Sequence, residues 1–426
     1  MSAPPVLIYN LFPRLVGNFS RWRPHLERAA QMGFTHIYLN PIQEPGFSGS
    51  AYSIKDYFTI DARYLNPRSK KNPFNQLKET LKQAQRAGLR VIMDLVINHT
   101  AFDSLLVSRY PEWFKRDAAG NLKRACAPDG TVWGDLVEVD NEQSLDRENL
   151  WCYWEQLVEY YLRLGFDGFR CDAAYQVPLE LWRRIIRRAK NVNPDCVFLA
   201  ESLGCEFSRV IELGKAGFDL VFNSVKWWDF EQPWALEQHN WNRQEGSPSI
   251  SFPESHDTPR LMEEYRGNVQ RVKQRYLFSV VFSAGVMMPI GFEFGFRKPL
   301  DVVRSSVRDW ESPQVDLTSF ITRANALKYN YSLFREDHPI ERIPSPNPMI
   351  TILKKTAFNS NDMALLLINR DVQHPQTLTL TRELIGQAHL HYRMDLHLEK
   401  ERLHPIPLTL HLSPSDLMIV LGTQTR

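Results

Sequence analysis

The sequence predicts an α/β fold: a (β/α)₈ TIM barrel with a short excursion after strand 3 and a C-terminal antiparallel β domain. Three observations carry this expectation. From residue 6 to about 330, eight short β-branched runs alternate with amphipathic stretches, the pattern of repeated βα units around a parallel sheet. Polar and acidic residues gather at the C-terminal ends of those runs, where barrels of this class carry their chemistry. From about residue 340 the pattern changes to short alternating runs separated by turn residues, which reads as antiparallel sheet.

The eight runs are VLIYNLF (6–12), HIYLNPI (36–42), RVIMDLVI (90–97), GFRCDA (168–173), CVFLAES (196–202), DLVFNS (219–224), SISFPE (249–254) and GVMMPIG (285–291). An open doubly wound sheet is the alternative, but the count of eight favours a closed barrel. Helical periodicity appears between them at 22–33, 75–88 and 181–191, and the first two stretches close on a Gly able to take a left-handed C-terminal cap. After the third run the connection is long. Residues 101–145 carry Trp113, Asp129-Gly130 and Trp133-Gly134-Asp135, and a loop of this length inside a compact domain usually serves function. The expected organisation is a barrel over 1–100 and 146–335, an excursion over 101–145, and a β domain over 340–426. The Pro-rich segment HPIERIPSPNP (338–348) marks the boundary.

Composition narrows the partners. Lys and Arg total 51 against 49 Asp and Glu, so the chain has no electrostatic footprint for nucleic acid or an anionic membrane, and a neutral small molecule or polymer is the expected ligand. No window stays apolar for about 18 residues, and the N-terminus lacks a basic start followed by an apolar run. The five Cys are odd in number and form no C-x-x-C pair, as expected of buried thiols in a reducing compartment. A cytoplasmic location follows as the expectation, with the oligomeric state left open.

Three acidic residues stand at separate strand ends: Asp172 in GFRCDAAY, Glu201 in VFLAES and Asp257 in FPESHDTPR. Cleavage of a glycosidic bond with retention needs one carboxylate as nucleophile and one carboxylic acid to protonate the leaving oxygen, and carboxylates offered by successive strands match that need. Arg170 stands two residues before Asp172, so on a strand both project to the same side and the guanidinium can keep the carboxylate ionised. Glu201 follows the apolar run CVFLA, where burial suits a general acid. His256 can donate to a sugar hydroxyl while Asp257 accepts from two. Asp94 and Asn98-His99, at the end of the third run, suit either a polar subsite or a simple turn cap.

These residues resemble the α-amylase superfamily, glycoside hydrolase family 13. Its four motifs look like DLVINH (94–99), GFRCDAAY (168–175), the Glu of LAES (199–202) and ESHD (254–257). AYSIKDYFTID (51–61) resembles the segment with the family's stacking Tyr, and WGDL (133–136) a motif of the long third loop. The resemblance implies that Asp172 is the nucleophile, Glu201 the general acid/base and Asp257 the carboxylate that orients the ring. It also implies that Tyr52, Asp94, His99, Arg170 and His256 line the substrate site, with Asp172 and Glu201 about 5 to 5.5 Å apart, and Tyr175 is a further substrate-binding candidate.

There are departures from the family pattern. Tyr175-Gln176 stands where many members carry Lys-His, Ser255 replaces a common Asn, Ala51 a frequent Gly, and Cys171 takes an apolar slot beside Asp172. Asn98 and Asp135 are the candidate metal ligands, yet two oxygens fall short of the six or more that calcium takes, so calcium stays doubtful and no organic cofactor is required. The expected activity is retaining cleavage of α-1,4 links in an α-glucan or malto-oligosaccharide. Glucanotransferase or maltosyltransferase chemistry is the alternative, and a non-catalytic carbohydrate-binding barrel the rival from another class.

Overall fold

The computed structural model describes residues 4–126 and 130–424; Asp129 of the predicted excursion lies outside them. Eight strands form where the eight runs predict: β1 Val6–Leu11, β2 His36–Leu39, β3 Arg90–Leu95, β4 Gly168–Cys171, β5 Val197–Ala200, β6 Leu220–Phe222, β7 Ser249–Ser251 and β8 Gly285–Pro289. They close into a barrel in chain order, β8 returning to β1. Each observed strand is shorter than its predicted run, and residues that follow the ladder, Asn40, Val96, Glu201 and Glu254 among them, stay buried. All four residues of β2 and of β4 are buried, as expected of strands covered on both faces.

The helices fall at Arg23–Gln31, Pro73–Arg86 and Leu179–Val192, close to their predicted windows. Asn72 caps the second by accepting the Asn75 amide, and Gly33 and Gly88, at φ 82° and 78°, take the left-handed conformation that ends the first two.

The chain divides into two compact units, residues 8–222 with 298–311, and residues 1–7, 223–297 and 312–426. In the first, parallel register is continuous through Ile8↔His36, Ile37↔Val91, Ile92↔Gly168, Gly168↔Val197 and Leu199↔Leu220. The excursion folds as a small antiparallel sheet in which His99–Ala101 and Arg124–Cys126 flank Val132–Glu138.

In the second unit, β7 pairs with β8. Its antiparallel part has a six-stranded sheet in the order 340–343, 350–356, 362–369, 417–424, 388–394 and 401–402, with a separate pair, 376–380 and 408–412. Alternating apolar residues, among them Ile352, Leu365, Leu367, Leu378, Leu410 and Val420, bury one shared core. Polar ties fasten this sheet to the helix Val269–Phe282. Lys355 Nζ donates to the carbonyls of Val281 and Phe282 at 3.0 and 2.9 Å, and Gln274 Nε2 to those of Asn369 and Asp416, both at 2.9 Å.

Candidate active site

The register of β3 with β4 sets Asp94 opposite Arg170. From there Arg170 Nη1 donates to Asp94 Oδ1 at 2.9 Å and to Asp172 Oδ1 at 2.7 Å. The guanidinium and Asp94 are buried, and Asp172 keeps 14 % of its side chain exposed. Burial alone opposes the positive charge on Arg170, but Asp94, Tyr38, Tyr52 and Asp172 around it outweigh that penalty and hold its pKa above the usual value. A permanently cationic group thus shares one nitrogen between a buried carboxylate and a reachable one.

The other oxygen of Asp94 accepts the hydroxyls of Tyr38 and Tyr52. Asn40 Nδ2 donates to the Tyr52 hydroxyl at 2.9 Å, and Asn10 Nδ2 to Asn40 Oδ1 at 2.9 Å. Tyr52 is therefore held at its tip by two strands. Tyr38, Asn40 and Asn10 escaped the sequence reading. The available signal was a polar residue at the end of each of the first two apolar runs, with Tyr38 and Asn40 two apart and so on one side of the strand.

Glu201 follows β5 and reaches across to the chain after β4. Its Oε2 accepts the Ala173 amide at 2.8 Å and its Oε1 the Leu203 amide at 2.7 Å. Backbone bonds continue the parallel ladder past the strand ends: Glu201 N to the Cys171 carbonyl at 3.1 Å, and Ala174 N to the Glu201 carbonyl at 3.0 Å. A carboxylate offers about four lone-pair sites, so Glu201 retains acceptor capacity after both amide bonds.

His99 is buried beside this group. Burial lowers its pKa while the charge of Asp172 works the other way, and the net lowering keeps the imidazole neutral at neutral pH. Tyr175 is half-buried, and burial, aided by Glu201 and Asp172, pushes its hydroxyl pKa up, so it stays a neutral donor. Tyr175 and Gln176 border a polar cavity of about 200 Å³ whose wall also includes Lys115, Asn141 and Arg209.

The two candidate metal ligands, Asn98 and Asp135, both engage in hydrogen bonds. Asn98 Nδ2 donates to Gln176 Oε1 at 3.1 Å and leaves Oδ1 buried without a partner, while the Asp135 carbonyl accepts the Phe102 amide at 2.8 Å. Among the described residues no three His, Cys, Asp or Glu side chains converge as metal ligands.

His256 and Asp257 belong to the second unit, on the chain that leaves β7. His256 Nε2 lies 3.0 Å from Asp257 Oδ2; the imidazole is buried and the carboxylate 57 % exposed. Their loop is fixed by a pair that sequence reasoning overlooked. Arg260 Nη1 donates to Glu254 Oε1 at 2.7 Å, Arg260 Nη2 to the Ile290 carbonyl at 2.9 Å, and the Leu261 amide to Glu254 Oε2 at 2.6 Å. A Glu and an Arg bracketing SHDTP were the available signal.

Comparison with known proteins follows the same lines. A family model described as glycogen debranching enzyme, glucanotransferase domain, matches residues 2–132. An α-1,4-glucan:maltose-1-phosphate maltosyltransferase from Burkholderia pseudomallei is 26 % identical over 408 residues, which is 91 % of this chain and 35 % of that protein. A cyclomaltodextrinase from Geobacillus thermopakistaniensis is 25 % identical over 370 residues, 81 % of this chain and 61 % of its own. These relatives are enzymes of the α-amylase superfamily, and the chain is similar to them. It spans between about a third and three fifths of these two relatives' lengths. Among solved structures, the superfamily fold is matched by an α-amylase from Lactobacillus plantarum, with a TM-score of 0.78 at 23 % identity over 97 % of this chain and 98 % of that one. An Anoxybacillus α-amylase gives 0.79 at 18 % identity over 99 % and 98 %.

Proposed function

We propose that this chain is a retaining α-glucan-active glycoside hydrolase of the α-amylase type that cleaves α-1,4-glucosidic bonds, with Asp172 as nucleophile and Glu201 as general acid/base. The observation that carries the proposal is the bridging of Asp94 and Asp172 by Arg170, with Glu201 bonded to the residue after Asp172. Asp172 attacks the anomeric carbon as Glu201 gives a proton to the departing oxygen, leaving a β-glycosyl ester on Asp172. Water then attacks the same carbon, Glu201 takes its proton, and Asp172 is released. Arg170 holds Asp172 ionised for the attack. Tyr52, pinned by Asp94 and Asn40, offers a ring face to the sugar, and His99, His256 and Tyr175 bind its hydroxyls. Asp257 is assigned the task of orienting the ring. Side chains perform every step, so no organic cofactor is involved.

A second reading, transfer of the glycosyl unit to another sugar, is favoured by the maltosyltransferase match over 91 % of the chain and by the glucanotransferase-domain model. Hydrolase and transferase share the first half-reaction and differ in what releases Asp172. Malto-oligosaccharide is the proposed substrate in either case. A cytoplasmic location is part of the proposal, supported by five Cys that form no disulfide. No helix of the described residues is long and apolar enough to cross a membrane.

The test is incubation with maltoheptaose, with and without phosphate, and chromatography of the products over time. Shorter sugars alone mean hydrolysis, longer ones mean glucan transfer, and maltose 1-phosphate formed only with phosphate means maltosyl transfer. An unchanged substrate would defeat the proposal.

A further inference from the structure

Between the end of β3 and the excursion the chain runs through Val96, Ile97 and Asn98 to His99, whose imidazole lies within the field of Asp172. The carbonyls along this path are taken one after another. The Asp172 amide donates to that of Leu95 at 3.0 Å, the Tyr57 hydroxyl to that of Val96 at 2.9 Å, Asn141 Nδ2 to that of Ile97 at 2.7 Å, and the Val139 amide to that of Asn98 at 3.0 Å. The Tyr57 hydroxyl also reaches the carbonyl of His99 itself, at 3.4 Å. Two of these donors are side chains brought in from distant parts of the sequence, and a buried carbonyl needs a donor, so the path that delivers His99 depends on both.

Neither donor is free to swing. Tyr57 is buried, its own carbonyl accepts the Tyr161 hydroxyl at 2.6 Å, and its ring meets that of Trp154 edge-on with centres 5.2 Å apart. Asn141 is buried as well. Its Oδ1 accepts Trp154 Nε1 at 3.0 Å and its carbonyl accepts Trp151 Nε1 at 2.9 Å. An indole nitrogen only donates, so the bond from Trp154 fixes the amide with its nitrogen toward Ile97. Trp151, Trp154 and Tyr161 all lie on the helix Arg147–Leu164, and one rigid element therefore aims both donors. What they hold in place is a polar side chain of the candidate site. A neutral imidazole serves a sugar hydroxyl only within about 0.5 Å of its productive place, a tolerance that needs a supporting shell of this kind.

We propose that Tyr57 and Asn141 are positioning residues for turnover that act through His99, clamping successive carbonyls of the segment that carries it. This rests on the α-glucan reading above.

The test is kcat/KM for maltoheptaose, with enzyme raised until product is measured by chromatography, in the parent, Tyr57→Phe, His99→Ala and the double variant. Thermal unfolding checks that each is folded at the assay temperature, and His99→Asn replaces His99→Ala if the smaller residue unfolds the chain. Action through His99 predicts that Tyr57→Phe lowers kcat/KM roughly three- to thirtyfold in the parent. In the His99→Ala background the same substitution should change it less than about twofold. A purely structural role gives equal losses in the two backgrounds; that result, or an unchanged kcat/KM in Tyr57→Phe, overturns this inference alone. If Tyr57→Phe does not fold, Asn141→Ala carries the same cycle, and failure of both to fold assigns the clamp to the fold rather than to His99 and overturns the inference too. No turnover of maltoheptaose by the parent overturns the glucan reading and the inference with it.

Discussion

Glu201 Oε2 accepts the backbone amide of Ala173 at 2.8 Å, so the proposed acid/base is anchored to the residue that follows the proposed nucleophile. Ala173 takes φ 38° and ψ 50°, a left-handed conformation uncommon for a residue with a Cβ, and that turn aims its N–H at the carboxylate. The neighbouring strand ends thus fix Asp172 and Glu201 through one peptide unit.

Because both oxygens of Glu201 accept an N–H, a Gln in its place can satisfy only one of the two donors. Glu201→Gln should lower stability by about 1 to 3 kcal/mol, besides slowing turnover of maltoheptaose by about 10² to 10⁴. The loss should be smaller on substrates whose leaving group needs no proton. Denaturant unfolding and the two rates check this; an equal loss on both substrate types would refute the acid role.

Removal of the Arg170 side chain leaves Asp94 buried without its cation. Arg170→Ala should cost about 3 to 5 kcal/mol in denaturant unfolding, with loss of turnover. A stability within experimental error of the parent would show that the bridge to Asp94 and Asp172 is not what holds these strand ends.

Gly168 opens β4 at φ 156°, and a Cβ there would lie 2.1 Å from the Val197 carbonyl oxygen on β5. Two backbones meet at this point, so no side chain can move aside. Gly168→Ala should push β4 from β5, lowering the thermal midpoint and abolishing turnover together, since Arg170, Asp172 and Glu201 all depend on that register. A variant of unchanged midpoint and rate would mean the register tolerates the methyl group.

Asp416 is buried, and desolvation together with the charge of Asp395 raises its pKa from 3.8 to about 6. Its charged form is disfavoured in the folded state, so this group lowers stability as pH rises from about 4 to 6 and the penalty persists above. Asp416→Asn should therefore stabilise the protein at pH 7 by up to about 3 kcal/mol and flatten that part of the pH dependence. Unfolding midpoints at pH 4 and pH 7 decide it: a variant no more stable at pH 7 than its parent refutes the assignment.

Much of the fold is legible in local pattern. Runs such as RVIMDLVI and GFRCDA became β3 and β4 because a barrel strand, buried on both faces, must be apolar along its length, and that requirement is written residue by residue. The strand-end position of Asp172 and its pairing with Arg170 were legible for a similar reason, since residues two apart on a strand share a side. Tyr38, Asn40 and Asn10 were not: each meets its partners only after strands far apart in sequence close up. Glu254 and Arg260 look like surface charges until the chain after β7 buries them against each other and the Ile290 carbonyl.

Sequence by itself therefore determined the barrel, the order of its elements and the acidic residues that follow its strands, because burial imposes a period on local residues. Tertiary structure alone decided which oxygen each donor reaches, that Arg170 serves two carboxylates with one nitrogen, and that Glu201 grips Ala173. Hydrogen bonds are short and directional, and their partners are set by register between strands rather than by neighbours along the chain.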